Sequence, residues 1–315
     1  MRRSAVLMMG PTGAGKSELA LELASRLPFE IISVDSAQVY VGMDIGTAKP
    51  DLKTRRSIPH HLIDIRDPAA GYSAGEFVRD AMCTMQEVWQ RGAQPLLVGG
   101  TMLYFRALTH GLAALPEADA EVRAEIEREA ATLGWPALHG ELERVDPEAA
   151  SRIHVNDPQR IQRALEVYRV TGVPISRLQQ LRATPFAGVD VLEFAVAPLE
   201  RAVLHRRIEA RFYAMLAAGF LEEVRALRAR GDLRAEHPSM RAVGYRQVWG
   251  HLAGEYGFEE STRRAIAATR QLAKRQLTWL RGSQRAQWFD STQPEGADRM
   301  IDALARSGFA EWSRG

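Results

Sequence analysis

The sequence predicts an α/β protein: a parallel sheet core with an inserted, all-helical subdomain. Three observations carry this prediction. Short apolar segments alternate with helical ones near the start, a long helical stretch without strands follows, and one further buried-strand pattern precedes the last helices. The predicted strands are Ala5–Met9, Glu30–Asp35, His61–Ile65, Pro95–Gly99 and Val191–Ala197.

Helical spacing of apolar residues separates these strands and fills the rest of the chain. The predicted helices are Ser17–Arg26, Ser73–Arg91, Glu117–Leu133, Trp135–Val145, Pro158–Thr171, Arg201–Ala218, Leu221–Arg230 and Ser261–Leu280. Asp157 as N-cap and Pro158 as first residue mark one helix start. Because strand patterns disappear in the middle, we expect residues 1–112 and 190–315 to form the core and residues 113–189 the insertion.

Composition excludes several classes of protein. Of 315 residues, 46% are hydrophobic and 25% charged, which is ordinary for a globular chain. No apolar run approaches the roughly 18 residues of a membrane span. The apolar run at the start ends at Met9, too early for a signal peptide. Cys83 is the single cysteine, so an internal disulfide is excluded. We expect a cytoplasmic monomer that makes no membrane contact.

The positive charge is concentrated in one region and consists mainly of arginine. Arginine supplies 37 of the 41 basic residues. Residues 201–285 hold 17 basic and 8 acidic residues, whereas residues 117–148 hold 3 and 10. The basic region suits either solvated helix faces or contact with nucleic acid, because planar guanidinium groups match phosphates and base edges.

A phosphate-binding motif lies between the first strand and the first helix. Its residues are Gly10, Pro11, Thr12, Gly13, Ala14, Gly15, Lys16 and Ser17, which fit G-x-x-x-x-G-K-[ST]. Glycines let successive N–H groups surround an anion, Lys16 reaches the outer phosphates, and the Ser17 hydroxyl is a candidate ligand of Mg²⁺. This motif makes the predicted core P-loop NTPase-like.

The strand that should carry a magnesium-binding aspartate in an NTPase ends differently here. Leu96-Leu97-Val98 runs into Gly99-Gly100-Thr101, with no carboxylate, which argues against ordinary NTP hydrolysis. The two glycines indicate either a plain tight turn or a close backbone approach that presents the Thr101 hydroxyl to a substrate. A small-molecule kinase with a P-loop remains an alternative.

Another predicted strand ends in a carboxylate. Asp35 follows IISV and should face the phosphate loop, because the carboxyl ends of parallel strands share one edge of the sheet. It can orient a metal, cap a helix, or accept a proton from a nucleophile. Gln38 offers an amide that suits an adenine edge, although a surface glutamine is the simpler reading.

Five segments together resemble the tRNA dimethylallyltransferases. They are GPTGAGKS, DSAQVYVGMDIGTAKP, VGGTMLY, DPQRIQRALEVY and MRAVGYRQVW, in this order along nearly the whole chain. The resemblance implies transfer of the prenyl group of dimethylallyl diphosphate to N6 of the adenosine 3′ of the anticodon (position 37), in tRNAs that read codons beginning with U. It also implies that the helical insertion contacts the anticodon stem-loop. Mg²⁺ at Ser17 would then help to stabilise the charge of the leaving diphosphate.

The resemblance assigns residues to this chemistry. The phosphate loop would hold the diphosphate as it leaves, and Asp35 is the candidate general base for the N6 amine. Thr101 corresponds to a substrate contact near the reacting groups, and Arg211 to an arginine that faces the diphosphate. The expected tRNA contacts are Asp35, Ser36, Ala37, Gln38, Thr101, Arg123, Gln159, Arg160, Ile161, Gln162, Arg163, Met240, Arg241, Ala242, Val243, Gly244, Tyr245, Arg246, Lys274, Arg275, Gln276, Leu277, Thr278, Trp279, Leu280 and Arg281.

Other readings stay open at this point. The phosphate loop alone would suit a kinase, and the basic region alone would suit a noncatalytic RNA-binding module gated by a nucleotide. A related family variant prenylates free adenine nucleotides. The helical insertion and the QRIQR and VGYRQ segments argue against that variant.

Overall fold

A computed structural model of the protein describes residues 3–113, 115–180 and 184–309. The described residues form two compact units: one within Met1–Ala107 and Phe186–Gly315, the other within Leu108–Pro185. The second unit begins and ends a few residues before the boundaries that we place at 113 and 189 from the sequence.

The first unit is built on one parallel, six-stranded sheet with the order β3-β2-β4-β1-β5-β6. The predicted α/β class with a P-loop-like parallel core and a helical insertion is confirmed. The strands are β1 (Ser4–Met9), β2 (Phe29–Val34), β3 (His60–His61), β4 (Gln94–Gly99), β5 (Asp190–Ala197) and β6 (Gln287–Asp290).

Helices cover this sheet. They are α1 (Lys16–Arg26), α2 (Leu52–Ser57), α3 (Ala74–Gln90), α4 (Met102–His110, whose first six residues belong to this unit), α10 (Arg201–Ala217), α11 (Phe220–Ala229), α12 (Tyr245–Leu252), α13 (Phe258–Arg281) and α14 (Gly296–Leu304). A short π-helical segment, Ala305–Phe309, follows α14.

Alternation of side chains along β1 explains the layers. Val6 and Met8 pack in one cluster with Leu23 of α1 and Met300 of α14, as expected for residues two apart on a strand. A second cluster joins α10–α13 to the segment after β2 and includes Phe220 and other buried aromatic rings. This second cluster fixes the segment after β2, on which Asp35 lies.

The second unit consists of the helices α5 (Ala120–Leu133), α6 (Trp135–Val145), α7 (Pro147–Arg152), α8 (Pro158–Thr171) and α9 (Ile175–Leu178). Their apolar faces form one core. Asp157 caps α8 by accepting the N–H of Arg160 at 3.2 Å, so the predicted start of this helix is confirmed.

The predicted strand His61–Ile65 is wrong beyond its first residue, because β3 contains only His60 and His61. Leu62 and Asp64 have φ angles of 60° and 56°, which lie in the left-handed region and end the strand. The N–H of Ile65 then donates to the carbonyl oxygen of Val39 at 2.8 Å. The missing strand residues therefore pair with the segment that follows β2.

No helix in the described part of the chain combines the length and apolarity needed to cross a bilayer.

Candidate active site

The phosphate loop joins β1 to α1 in a conformation that requires its glycines. Gly13 and Gly15 have φ angles of 78° and 87°, which other residues rarely adopt. A Cβ at Gly10 would lie 2.3 Å from the carbonyl oxygen of Val196. The loop therefore sits close against β5, with the N-terminus of α1 beginning at Lys16, and this arrangement suits an anion.

Lys16 points its ammonium group into the loop. Its Nζ donates to the carbonyl oxygens of Gly10 at 2.9 Å and Pro11 at 2.8 Å. The pKa of Lys16 is lowered to about 7, mainly by burial and also by the nearby Arg211, while Asp35 opposes the shift. A bound anion would restore the charged form, because an opposite charge favours protonation of a lysine.

Ser17 is exposed at the start of α1, and its hydroxyl has no hydrogen-bond partner within the described residues. The described residues include no cluster of three or more His, Cys, Asp or Glu suited to a metal. Mg²⁺ is commonly held by one or two protein oxygens together with phosphate oxygens and water. The Ser17 hydroxyl beside the phosphate loop fits a Mg²⁺ of that kind.

Asp35 follows β2 and is held by the backbone of the next turn. Its Oδ1 accepts the N–H groups of Ala37 at 2.8 Å and Gln38 at 3.3 Å. Its Oδ2 has no hydrogen-bond partner in residues 3–113, 115–180 and 184–309. One oxygen thus fixes the side chain, and the other remains able to accept a proton from a ligand.

Thr101 follows the turn at which the backbone of β4 comes close to the backbone of β2. A Cβ at Gly99 would lie 2.0 Å from the carbonyl oxygen of Val34, so glycine is required there. The N–H of Thr101 donates to that same carbonyl at 3.2 Å. The Thr101 hydroxyl accepts the N–H of Ser36 at 3.1 Å. Of the two readings of this turn, close approach is the one observed.

Arg211 brings a cation to the same place. It lies half-buried on α10, and its guanidinium makes no hydrogen bond or ion pair with the described residues. Burial lowers the pKa of Arg211, and Asp35 opposes this effect. A partly buried guanidinium without a protein partner is costly unless a ligand compensates it, which points to a bound anion.

Two adjoining cavities meet at these residues. The larger, about 440 Å³, has an apolar wall that includes Phe212, Phe220 and Trp279. The smaller, about 240 Å³, contains Lys16 and Ser17. The residues that line both cavities are Thr12, Asp35, Thr47, Gly100, Arg211 and Gln276. A flat apolar group and a phosphate group can therefore approach Asp35 and Arg211 from two sides.

Several predicted tRNA contacts are corrected by burial. Ile161, Met240, Tyr245 and Leu280 are at most 1% exposed, so their side chains support the surrounding helices and are not presented to RNA. The amide of Gln38 is also occupied: it accepts from Ser33 at 2.8 Å and donates to backbone carbonyls of the 47–48 segment. Gln38 shapes the smaller cavity and has no free edge for adenine.

Other predicted contacts fall into two groups. Arg123 and Arg163 bind the fully buried carboxylate of Glu166, at 2.8 Å each, and Gln162 binds Glu127 at 2.9 Å. These side chains have structural partners in the second unit. The exposed members are Ser36, Gln159, Arg160, Arg241, Arg246, Lys274, Arg275, Thr278 and Arg281, whereas Ala37, Ala242, Val243, Leu277 and Trp279 are half-buried and Gly244 is buried.

Sequence reasoning did not find one carboxylate that shapes the larger cavity. Glu223 of α11 accepts the N–H groups of Asp44 at 2.9 Å, Ile45 at 2.7 Å and Gly46 at 3.1 Å, and it also accepts the hydroxyl of Tyr245. Gly46 lines the cavity. An acidic residue on an amphipathic helix gives no sequence signal for such a contact, because its partners are far along the chain.

Together these features define an enzyme class. A phosphate loop without the strand-end aspartate of an NTPase lies beside a candidate base, an apolar cavity and an arginine that has no partner among the described residues. This combination is typical of a transferase that releases a phosphate-containing leaving group.

Comparison with known proteins gives the family. A sequence model of the IPP transferases matches residues 38–283. A full-length tRNA isopentenylpyrophosphate transferase from Bacillus halodurans is 36% identical, with a TM-score of 0.71 over 99% of this chain and 98% of that one. The chain therefore belongs to the IPP transferase family.

Two further solved structures agree. A tRNA delta(2)-isopentenylpyrophosphate transferase from Staphylococcus epidermidis is 32% identical, with a TM-score of 0.67 over 98% of this chain and all of that one. A eukaryotic dimethylallyltransferase acting on tRNA is 26% identical, with a TM-score of 0.81 over 98% of this chain and 80% of that one.

Proposed function

We propose that the protein transfers the dimethylallyl group of dimethylallyl diphosphate to N6 of adenosine 37 in tRNAs that read codons beginning with U. The products are N6-(dimethylallyl)adenosine and diphosphate. The observation that carries this proposal is the meeting of the phosphate-loop cavity with the larger apolar cavity at Asp35 and Arg211. Membership of the IPP transferase family supports the same reaction.

The reaction forms one bond and breaks one. The adenine N6 attacks C1 of the prenyl group, the C1–O bond to diphosphate breaks, and N6 loses one proton. The N6 lone pair is delocalised into the ring, so proton removal assists bond formation. Asp35 is the proposed base, because its Oδ2 has no hydrogen-bond donor among the described residues and its Oδ1 is fixed by backbone N–H groups.

Charge develops on the leaving diphosphate. The loop N–H groups, Lys16 and Arg211 supply positive potential at the shared edge of the two cavities, and such fixed groups act without reorganisation during the reaction. Thr101 is proposed to contact the substrate beside Asp35, since its hydroxyl lies next to Ser36. Ser17 is proposed to hold Mg²⁺, which would supply further positive charge to the diphosphate when bound.

The anticodon stem-loop is the proposed partner of the exposed basic side chains. Lys274, Arg275 and Arg281 lie exposed on α13, and cavity-lining Trp279 offers a ring on which an unstacked base can stack. In the second unit, Gln159 and Arg160 are exposed at the start of α8. Adenosine 37 must leave its neighbours to react, as in other enzymes that modify bases.

The deciding experiment is a reaction with purified components. The protein is incubated with unmodified tRNA, Mg²⁺ and dimethylallyl diphosphate, and the digested nucleosides are analysed by mass. A gain of one five-carbon prenyl unit on adenosine 37 is expected. ATP consumption without prenyl transfer would favour a kinase, and a salt-sensitive RNA complex without product would favour a binding module.

A further inference from the structure

The side chain of Gln276 joins the two loops that form the reaction site. Its Oε1 accepts the N–H of Thr12 in the phosphate loop at 3.0 Å, and its Nε2 donates to the carbonyl oxygen of Gly100 at 2.8 Å. Gln276 is 8% exposed. Both ends of the amide are therefore engaged inside the protein, one as an acceptor and one as a donor.

We propose that Gln276 is a positioning residue for the diphosphate of the donor and not a contact to tRNA. Its amide holds the phosphate loop at a fixed distance from the Gly99–Gly100 turn and so keeps the leaving-group site beside Thr101. The inference rests on the proposed function, in which the phosphate loop binds a diphosphate.

The backbone at Gly100 fits this role. A Cβ at Gly100 would lie 2.5 Å from the Gln276 Nε2 and 3.2 Å from the carbonyl oxygen of Gly10. Such approaches are too close for any side chain at position 100 unless Gln276 moves. The second glycine of VGGT therefore has a physical reason: it allows the amide of α13 to reach the turn.

The phosphate loop gains definite support from this contact. The N–H of Gly10 donates to Gly99 at 3.3 Å, Lys16 holds the carbonyls of Gly10 and Pro11, and Gln276 holds the N–H of Thr12. The first half of the loop is thus fixed by protein groups. The N–H of Ala14 donates to the carbonyl oxygen of Pro11 at 3.2 Å. The N–H groups of Gly13 and Gly15 have no partner among the described residues and are left to face an anion.

The two residues before Gln276 on α13 are exposed, whereas Gln276 faces inward, so RNA binding and positioning belong to different side chains. Lys274 and Arg275 are exposed beside Gln276, so one turn of helix carries outward cations and an inward amide. Gln271 is exposed on the same helix and has no hydrogen-bond partner within the described residues. It provides a matched glutamine for control variants.

The test measures binding of inorganic diphosphate by calorimetry in the absence of tRNA. Gln276→Met removes both hydrogen bonds at nearly constant volume and should weaken binding at least about tenfold, while Gln271→Met leaves it unchanged. The Kd of Gln276→Met for tRNA should stay within about twofold of that of the parent. Thermal melting of each variant reports folding.

Gln276→Glu adds a readout that a general packing role would not move. Its ionised carboxylate can accept from Thr12 but repels the Gly100 carbonyl, whereas its protonated carboxyl can both accept and donate. Relative to the parent, its diphosphate affinity should recover several-fold between about pH 8 and about pH 6, where a buried carboxyl with a raised pKa takes up a proton. Gln271→Glu should show no such recovery.

Unchanged diphosphate affinity in Gln276→Met, with weaker tRNA binding, would overturn the inference and restore Gln276 as an RNA contact. An absence of pH recovery in a folded Gln276→Glu variant would also overturn it. A parent protein that binds no diphosphate would instead contradict the proposed function.

Discussion

The hydroxyl oxygen of Thr101 accepts the N–H of Ser36 at 3.1 Å. This hydrogen bond ties the turn after β4 to the segment that begins with Asp35. The Asp35 carboxylate is held separately by the N–H groups of Ala37 and Gln38. The proposed base, Asp35, and the proposed substrate contact, Thr101, are therefore positioned by the same backbone but do not depend on a hydrogen bond to each other.

Asp35→Asn should separate the role of this side chain as a general base from its role in holding the turn. The asparagine oxygen can still accept the N–H groups of Ala37 and Gln38, so the turn is kept while the base is lost. We expect kcat to fall about 10²- to 10⁴-fold, with both KM values within a few-fold of the parent. Single-turnover prenylation at saturating substrates measures this.

Asp35→Ala is the control. It removes the base together with two hydrogen bonds to the turn, so the free energy of unfolding should fall by about 1–2 kcal/mol more than in Asp35→Asn. Near-normal turnover in either folded variant would remove Asp35 from the role of base.

Lys16 should make donor binding dependent on pH. Its pKa is lowered to about 7, mainly by burial, so above pH 7 the ligand-free protein holds a neutral lysine that must gain a proton when an anion binds. Affinity for a prenyl diphosphate should fall as pH rises above 7, by up to about tenfold per pH unit. Calorimetry in buffers of different protonation enthalpy should show uptake of a proton at alkaline pH.

The lowered pKa of Lys16 also predicts how the stability of the ligand-free protein changes with pH. The pKa of Lys16 is about 7 in the folded chain, against an ordinary value of 10.5. Between these values the unfolded chain binds more protons, so this residue makes the ligand-free protein more stable as pH rises through that window. Lys16→Met should remove both this contribution and the proton uptake. Proton uptake that persists in the variant would assign it to another group.

Arg211 should favour activity at the expense of stability. Its guanidinium is partly buried without a partner among the described residues, so Arg211→Met should lower kcat about 10²- to 10³-fold and raise the melting temperature of the ligand-free protein. Arg211→Lys keeps the charge but not the planar fork and should give an intermediate rate. A lower melting temperature in the methionine variant would show that the arginine has a structural partner.

The phosphate loop and Asp35 were predictable because their signals are local. A fixed glycine spacing after an apolar strand predicts one loop conformation, the phosphate loop. A carboxylate that ends a strand of a parallel sheet lies at the carboxyl edge of that sheet. The strand His61–Ile65 failed because nothing local showed that Leu62 and Asp64 would be left-handed. Apolar composition alone does not separate a strand from a buried turn.

Contacts between distant segments were not predictable. The family resemblance of its segment made Gln276 an expected RNA contact, yet its partners, Thr12 and Gly100, lie more than a hundred residues away. Arg123 likewise has a buried partner, Glu166. In both cases the resemblance pointed to a polar or charged residue, whereas only the fold shows which groups its side chain contacts.

Glu223 should control the stability of the cavity wall. Glu223→Gln keeps one acceptor oxygen and replaces the other with an amide NH2 group. That NH2 group is a donor and would face the N–H groups of Asp44 and Ile45. We expect the free energy of unfolding to fall by about 2–3 kcal/mol. Tyr245→Phe, which loses one hydrogen bond to Glu223, should cost about 1 kcal/mol. Urea denaturation measures both; equal, negligible losses would contradict this account of the cavity wall.

Arg160 and Arg123 should differ in what their loss affects. Arg160 is exposed and its nearest carboxylate, Asp157, is 3.5 Å away, so Arg160→Ala should weaken tRNA binding and reduce the salt slope by about 0.7–0.9 without changing stability.

Burial alone raises the pKa of Glu166, but hydrogen bonds from Arg123 and Arg163 hold it below its ordinary value. Arg123→Ala should therefore destabilise the second unit by about 3–5 kcal/mol. Filter binding across a salt series, with urea denaturation in parallel, distinguishes them; an Arg123→Ala protein of unchanged stability would show that Arg123 is free to contact RNA.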